Sequence, residues 1–226
     1  MPWKENRSMF TGIVEERGEV LALELAPGGA DARLTVRGPL VTQDVRHGDS
    51  IAVSGVCLTV VEFGNGTFTA DVMAETLART SARGWTPGRP VNLERSVTPT
   101  TRLGGHVVQG HVDGVGTVVT RTAHPGYDEF TISVGPELAR YITGKGAVAV
   151  DGISLTVIQV RDSPTGTDFT LGIIPETRAV TTLGSATVGT DVNIEVDVMA
   201  KYVERLLLFA PAQHANRPEA QSMEQH

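Results

Sequence analysis

The chain has 226 residues, of which 40% are hydrophobic and 20% charged, with a formal net charge of −7. These are the proportions of a globular chain long enough for one or two domains, and its acidity argues against a nucleic-acid partner, which usually calls for a basic patch. A single cysteine, Cys57, excludes an intrachain disulfide framework and suits a reducing compartment such as the cytoplasm. No apolar run approaches the ~20 residues needed to cross a bilayer, so no membrane partner is expected. The polar residues 1–8 lack the apolar core of a signal peptide.

In chain order, short alternating or apolar runs occur at 18–25, 50–53, 57–63, 67–72 and 91–94, separated by turns containing Gly, Asn or Pro. Phe63-Gly64-Asn65-Gly66-Thr67 is a hairpin signal, because Asn and Gly accept the positive φ of a tight turn. Short helices are predicted near 74–81 and 136–143. The pattern then repeats. Gly55-Val56-Cys57-Leu58-Thr59-Val60 returns as Gly152-Ile153-Ser154-Leu155-Thr156-Val157, 97 positions later. Glu75-Thr76 returns as Glu176-Thr177, and Val91-Asn92-Leu93-Glu94 as Val192-Asn193-Ile194-Glu195, both 101 positions later. Gly12-Ile13-Val14-Glu15 aligns with Gly110-His111-Val112-Asp113 at 98. A period near 100 is too long for a solenoid, so each copy is expected to be a domain with its own core. About six short strands per copy and no long helical pattern predict an all-β chain of two small closed antiparallel barrels.

The last segment differs. Met199, Tyr202, Val203, Leu206 and Ala210 form one apolar helical stripe, widened by Leu207, Leu208 and Phe209. Such a helix either packs on its own barrel or serves self-association. From 211 onward the chain is polar and expected to be disordered.

Two copies of one fold imply two similar pockets, suited to two copies of one ligand. Strand alternation puts Cys57 and Thr59 on one face and Leu58 and Val60 on the other. Ser154 and Thr156 repeat this against Leu155 and Val157. The polar pairs are expected to face a crevice or an interface. The copies differ chemically: Cys57 is matched by Ser154, Ser54 by Asp151, Gly48 by Lys145 and Ile13 by His111. The second copy thus carries an acid, a cation and a titratable ring that the first lacks, which would suit one ligand as donor and the other as acceptor. His106 and His111 lie in a glycine-dense stretch. Their spacing and the absence of an accompanying Cys or carboxylate cluster argue against a metal site. Either is a natural proton shuttle, and close backbone approach to a ligand is one use of the glycines. No dinucleotide fingerprint, phosphate-binding Walker sequence or nucleophile elbow occurs. Cys57 is either a nucleophile or an inert buried thiol.

The motifs Met9-Phe10-Thr11-Gly12-Ile13-Val14-Glu15, Gly55 to Val60, Gly104-Gly105-His106-Val107-Val108-Gln109-Gly110-His111-Val112-Asp113-Gly114, Asp151 to Val157 and Ile174-Pro175-Glu176-Thr177 together resemble the riboflavin synthase alpha-chain family. The resemblance spans about Met9 to Phe209. It implies two tandem six-stranded Greek-key barrels and a C-terminal helix that holds a homotrimer. The chain then divides into an N-terminal extension (1–8), a first barrel (9–97), a linker (98–104), a second barrel (105–197), a trimerisation helix (198–210) and a tail (211–226). The resemblance further implies a transferase that dismutes two molecules of 6,7-dimethyl-8-ribityllumazine without metal or cofactor, one in each barrel of neighbouring subunits. It leaves a partnership with lumazine synthase open.

Carried over by motif, the first pocket uses Cys57, Leu58, Thr59, Asp71, Val72, Met73, Ala74, Glu75 and Thr76. The second uses Lys145, Ser154, Leu155, Thr156, Ile174, Pro175, Glu176 and Thr177. Gly12, Ile13 and Val14 wall one pocket and Gly110, His111 and Val112 the other, with the assignment open. His111, Ser154, Thr156, Cys57 and Asp151 are the candidate catalytic residues. His111 would move the proton, Ser154 with Thr156 would stabilise the group added to the acceptor, and Cys57 would be a pocket residue or weak nucleophile. The alternative is a non-catalytic lumazine- or flavin-binding antenna or carrier protein. Lys145, Asp151, Ser154, Thr156 and Glu176 in the second half favour the enzyme, since a carrier would be expected to lose polar residues from one pocket.

Overall fold

The computed structural model of the chain describes residues 8–26, 28 and 30–209. The predicted extension (1–8), apart from Ser8, and the tail predicted to be disordered from 211 onward lie outside the described residues. The first barrel comprises β1 (Glu16–Leu25), β2 (Ala32–Arg37), β3 (Ser50–Val53), β4 (Val56–Gly64), β5 (Thr67–Val72), α1 (Ala74–Arg79) and β6 (Pro90–Arg95). The second comprises β7 (Gly114–Ala123), β8 (Asp128–Val134), α2 (Pro136–Ala139), β9 (Ala147–Val150), β10 (Ile153–Ser163), β11 (Gly166–Ile173), α3 (Pro175–Val180) and β12 (Asp191–Val196). Helix α4 (Val198–Leu207) follows.

Both barrels are closed and antiparallel, with the Greek-key order β1-β2-β5-β4-β3-β6 and its repeat β7-β8-β11-β10-β9-β12. Closure needs strong curvature, and irregularities in the long strands supply it. Register shifts fall at Val20/Ala22 in β1 and Val118/Thr120 in β7, and at Val60/Glu62 in β4 and Val157/Gln159 in β10. The same irregularity therefore sits at the same place in each copy, where an extra residue bends the strand and raises its twist. Asn65 and Gly66 take φ of 53° and 75°, forming the predicted two-residue hairpin turn between β4 and β5.

Alternation places Leu34, Val36, Ile51, Leu58, Phe68 and Leu93 inside the first barrel, and Phe130, Ile132, Val150, Phe169, Leu171 and Ile194 inside the second. A third, small cluster of Phe10, Ala52, Val108 and Ala149 joins the two. The join has near two-fold symmetry. Asn92 Nδ2 donates to the Asp151 carbonyl at 2.9 Å, and Asn193 Nδ2 to the Ser54 carbonyl at 2.8 Å. Asn92 Oδ1 accepts the Thr182 amide and Asn193 Oδ1 the Ser81 amide, at 2.8 and 2.7 Å. A Cβ on Gly55 would lie 2.7 Å from the Gly152 nitrogen, so only glycine permits the approach.

Two helical expectations are refined. The helix near 136–143 is a single turn that ends at Ala139. Helix α3 was not expected, although Glu176-Thr177 occupies the place of Glu75-Thr76 in α1. Pro175 opens it at a position where the missing N–H costs nothing.

Candidate active site

The structure shows which strand segment serves which barrel. Each barrel is walled by the segment that leads into the other. The Cys57 amide donates to the Gly110 carbonyl at 2.9 Å, and the Ser154 amide to the Gly12 carbonyl at 2.8 Å. Val112 packs on the core of the first barrel and Val14 on that of the second. The two segments pair where they cross, the Phe10 amide bonding the Val108 carbonyl at 2.7 Å.

Two buried carboxylates hold these crossing segments. Glu94 accepts the Thr11 and Gly12 amides and the Thr11 hydroxyl, at 2.6 to 3.0 Å. Glu195 accepts the Gln109 and His111 amides, at 2.7 and 2.9 Å. Burial raises the pKa of both against the lowering effect of those hydrogen bonds. The repeated Val-Asn-Leu/Ile-Glu motif thus serves the frame: its Asn joins the barrels and its Glu pins the pocket walls.

The first pocket, of about 360 Å³, is lined by Val56, Cys57, Glu75, Thr76, Gly110 and His111, among others. Its polar groups come from strand β4, helix α1 and the crossing segment. His111 is exposed, with its amide on Glu195. Cys57 is half-buried against the joining cluster, and burial pushes its thiol up, so it is protonated at neutral pH. That favours the reading of Cys57 as a neutral pocket group over that of a ready nucleophile. Glu75 pairs with Arg79 at 2.8 Å on the exposed face of α1. Met73 caps α1 and is 68% exposed.

In the second barrel, His106 and Ser154 meet. His106 Nδ1 lies 2.7 Å from Ser154 Oγ, and the ring is half-buried. Its Nε2 is buried with no hydrogen-bond partner among the described residues. Burial lowers the ring's pKa, so it is neutral at pH 7. A neutral imidazole this close to a hydroxyl can take its proton. The sequence favours His111 as the proton carrier and leaves His106 as a second possibility. The missing signal was spatial: a Cβ on Gly105 would come within 2.7 Å of Ser154 Oγ, which is how closely the 105–106 backbone passes that hydroxyl. Thr156 is exposed on the same strand face as Ser154, and Ile174 at the head of α3 is 56% exposed. Lys145 has its amide on the Val157 carbonyl at 2.8 Å, beside Thr156, and its ammonium forms no ion pair among the described residues. Pro175, Glu176 and Thr177 form the first turn of α3, with Glu176 exposed.

Several expected site residues lie elsewhere. Asp151 is not brought into either pocket. It is 5% exposed at the join, in a left-handed turn with φ of 46°, and its carboxylate accepts the Asn193 amide at 2.8 Å. Ser54 does the same for Asn92, so Asp151 is the acidic version of a turn residue and is corrected from the catalytic set. Asp71 pairs with Arg33 at 2.9 Å on the outer face of β5. Leu58 and Val72 are interior core residues, and Leu155 packs on the second core. Strand alternation turns the Leu58 and Val72 side chains into the first barrel, so a ligand on the outer face would meet backbone rather than side chain at these two positions.

The repeated barrel and its repeated crossing segments define a lumazine-binding tandem barrel: the family pattern "Lumazine binding domain" matches residues 11–96 and again 109–197. The chain is 55% identical to the riboflavin synthase of Mycobacterium tuberculosis over 207 residues, covering 89% of this chain and all of that protein. It is 39% identical to the riboflavin synthase of Bacillus subtilis over 199 residues, covering 88% and 90%. The chain belongs to the riboflavin synthase family. Among solved structures, that of LumP complexed with 6,7-dimethyl-8-(1'-D-ribityl) lumazine shares its fold, with a TM-score of 0.73 and 24% identity over 83% of this chain and 99% of that one.

Proposed function

We propose that this chain, a transferase of the riboflavin synthase type, converts two molecules of 6,7-dimethyl-8-ribityllumazine into riboflavin and 5-amino-6-(ribitylamino)uracil by passing a four-carbon unit between them. One observation carries the catalytic reading over the carrier reading. The second barrel retains a hydroxyl with a neutral base at 2.7 Å, a pairing that binding alone does not require.

In this reading one lumazine lies in the first pocket beside His111 and Cys57, and its partner in the second barrel beside Ser154 and Thr156. The C7 methyl of one loses a proton, with His111 as the proton carrier, and the resulting carbanion attacks the other. Ser154, oriented by His106, hydrogen-bonds with Thr156 to the group added at C7 of the acceptor and stabilises it. Thr156 and Lys145 supply further polar contacts. Holding two flat heterocycles face to face supplies much of the rate, since effective molarities can reach ~10⁵ M or more.

The face-to-face arrangement places the first barrel of one subunit against the second barrel of a neighbour in a homotrimer held by α4. What supports this is the helix's apolar face, where Tyr202, Val203 and Leu206 are 53 to 71% exposed. The single cysteine suits the cytoplasm, and a further association with lumazine synthase is compatible with this reading. No helix among the described residues is long and apolar enough to cross a membrane.

The test is to supply the purified protein with 6,7-dimethyl-8-ribityllumazine alone, with chelator present, and to follow riboflavin by chromatography. One riboflavin per two lumazines consumed is expected. Lumazine bound but unchanged would replace this reading with that of a carrier.

A further inference from the structure

We infer that Lys201, on the C-terminal helix, is a positioning residue for the first-barrel pocket. Its ammonium contacts both carboxylate oxygens of Asp113, at 2.9 and 3.0 Å. Asp113 lines that pocket next to His111 and Val112. The same carboxylate accepts the Val196 amide at 2.9 Å, and the Asp113 amide donates to the Ile194 carbonyl at 2.8 Å. Between those two contacts Glu195 holds the His111 amide. The pocket wall is therefore stitched to the end of β12, and Lys201 closes the last stitch from one turn inside α4.

The repeat shows what is special about this arrangement. In the other copy the residue matching Asp113 is Glu15. It is clamped by Arg95, whose amide lies at 2.7 Å and whose guanidinium also reaches Asp44 at 2.7 Å. Arg95 belongs to the end of β6, so that segment is clamped by the barrel it leads into, without the helix. Only the wall carrying His111 has its clamp on the helix that also presents an apolar face. Both partners are largely shielded, with side-chain exposures of 28% and 20%. Asp113 is further fixed by the Val196 amide. This is unlike the exposed ion pairs whose net effect is small. Without the ammonium, the carboxylate is free to turn to solvent and release Val196, loosening the backbone on either side of His111. A wall that must be ordered by the ligand binds it more weakly.

The inference rests on the reading of the first pocket as a lumazine site. Its test is a fluorescence titration with 6,7-dimethyl-8-ribityllumazine and steady-state kinetics on the full chain. Lys201→Met is expected to raise Kd and KM by roughly five- to tenfold. Lys201→Arg should restore most of the loss. Asp113→Asn should reproduce it, and the double variant should be no worse than either single one. Arg140→Met removes a different tether of α4, the Arg140–Glu204 pair at 2.7 Å, and should lower melting temperature without changing Kd. Unchanged binding by both Lys201→Met and Asp113→Asn, in a protein whose wild type binds, would overturn the positioning role alone. Failure of the wild type to bind would overturn the pocket reading and this inference with it.

Discussion

His106 Nδ1 stands 2.7 Å from Ser154 Oγ, on a segment that precedes β7, while Ser154 lies on β10. The ring is neutral because burial disfavours its charged form. His106→Ala is expected to lower kcat by roughly 10²- to 10⁴-fold, the usual worth of a general base, while binding in the first pocket persists. Activity should fall in acid as the ring protonates, below the ordinary His value of 6.5. The same shift affects stability. Because the folded pKa is depressed, the unfolded chain takes up the proton first, so stability is full above 6.5 and falls as pH drops through the folded value. Stopped-time assays and melting curves between pH 5 and 8 would check both, the pH limits being about those over which His ordinarily titrates.

Gly12 and Gly110 are the points where the crossing segments touch the strands they wall. Their φ values are 74° and 75°, and an added Cβ would lie 2.6 Å from the Ser154 Cβ and 2.5 Å from the Cys57 Cβ. Gly110→Ala is expected to cost about 1–3 kcal/mol of stability and to abolish binding in the first pocket. Gly12→Ala should do the same for the second. Gly84, which has open space around it, should accept Ala with no such loss. Calorimetry with and without lumazine would distinguish the three.

Asp151 is buried at the join, where desolvation pushes its pKa up to about 7 from 3.8. With the folded value raised, its contribution is fully present below 3.8 and is lost as pH rises through about 7. Asp151→Asn keeps an oxygen for the Asn193 amide and tolerates the left-handed turn. The variant should therefore melt higher than wild type at pH well above 7, with the gain shrinking toward acid. Parallel pH–stability curves for the two proteins would rule this out.

The proposed homotrimer makes α4 the contact. Leu206, 71% exposed, is expected to tolerate no charge there. Leu206→Glu should leave fold and melting of the isolated chain intact but reduce the sedimenting mass to that of one 24.0 kDa chain. Dismutation should fall with it, because the two pockets would no longer be brought face to face.

The double barrel was legible because its evidence is local and repeated: alternation in each strand, Asn65-Gly66 at one hairpin, and four motifs in matched order. The assignment of pocket walls was not. Gly12 and Gly110 are equivalent under the repeat, so no pattern in the chain distinguishes a segment that stays with its barrel from one that crosses. The crossing depends on the join, where Asn92 and Asn193 bond the far barrel's turn. Asp151 illustrates the opposite error. Its match to Ser54 suggests a gain of chemistry in the sequence, whereas the two residues occupy equivalent tight turns and accept equivalent amides, those of Asn92 and Asn193. His106 was visible as a residue but not as a base, since its partner lies 48 positions away. Lys201 carried no signal in the apolar stripe around it, because its role lies in what the opposite side of the helix touches.

The crossing segments have a consequence for any ancestor or fragment built from one repeat. A single barrel, cut from its neighbour, keeps its strands and core but lacks the strip of backbone that finishes its pocket. It could regain that strip only by exchanging it with a second copy of itself. Fusion of two repeats therefore converts an encounter between separate molecules into a fixed arrangement within one chain. It also frees the two strips to diverge, one ending in Ile13 and Glu15, the other in His111 and Asp113.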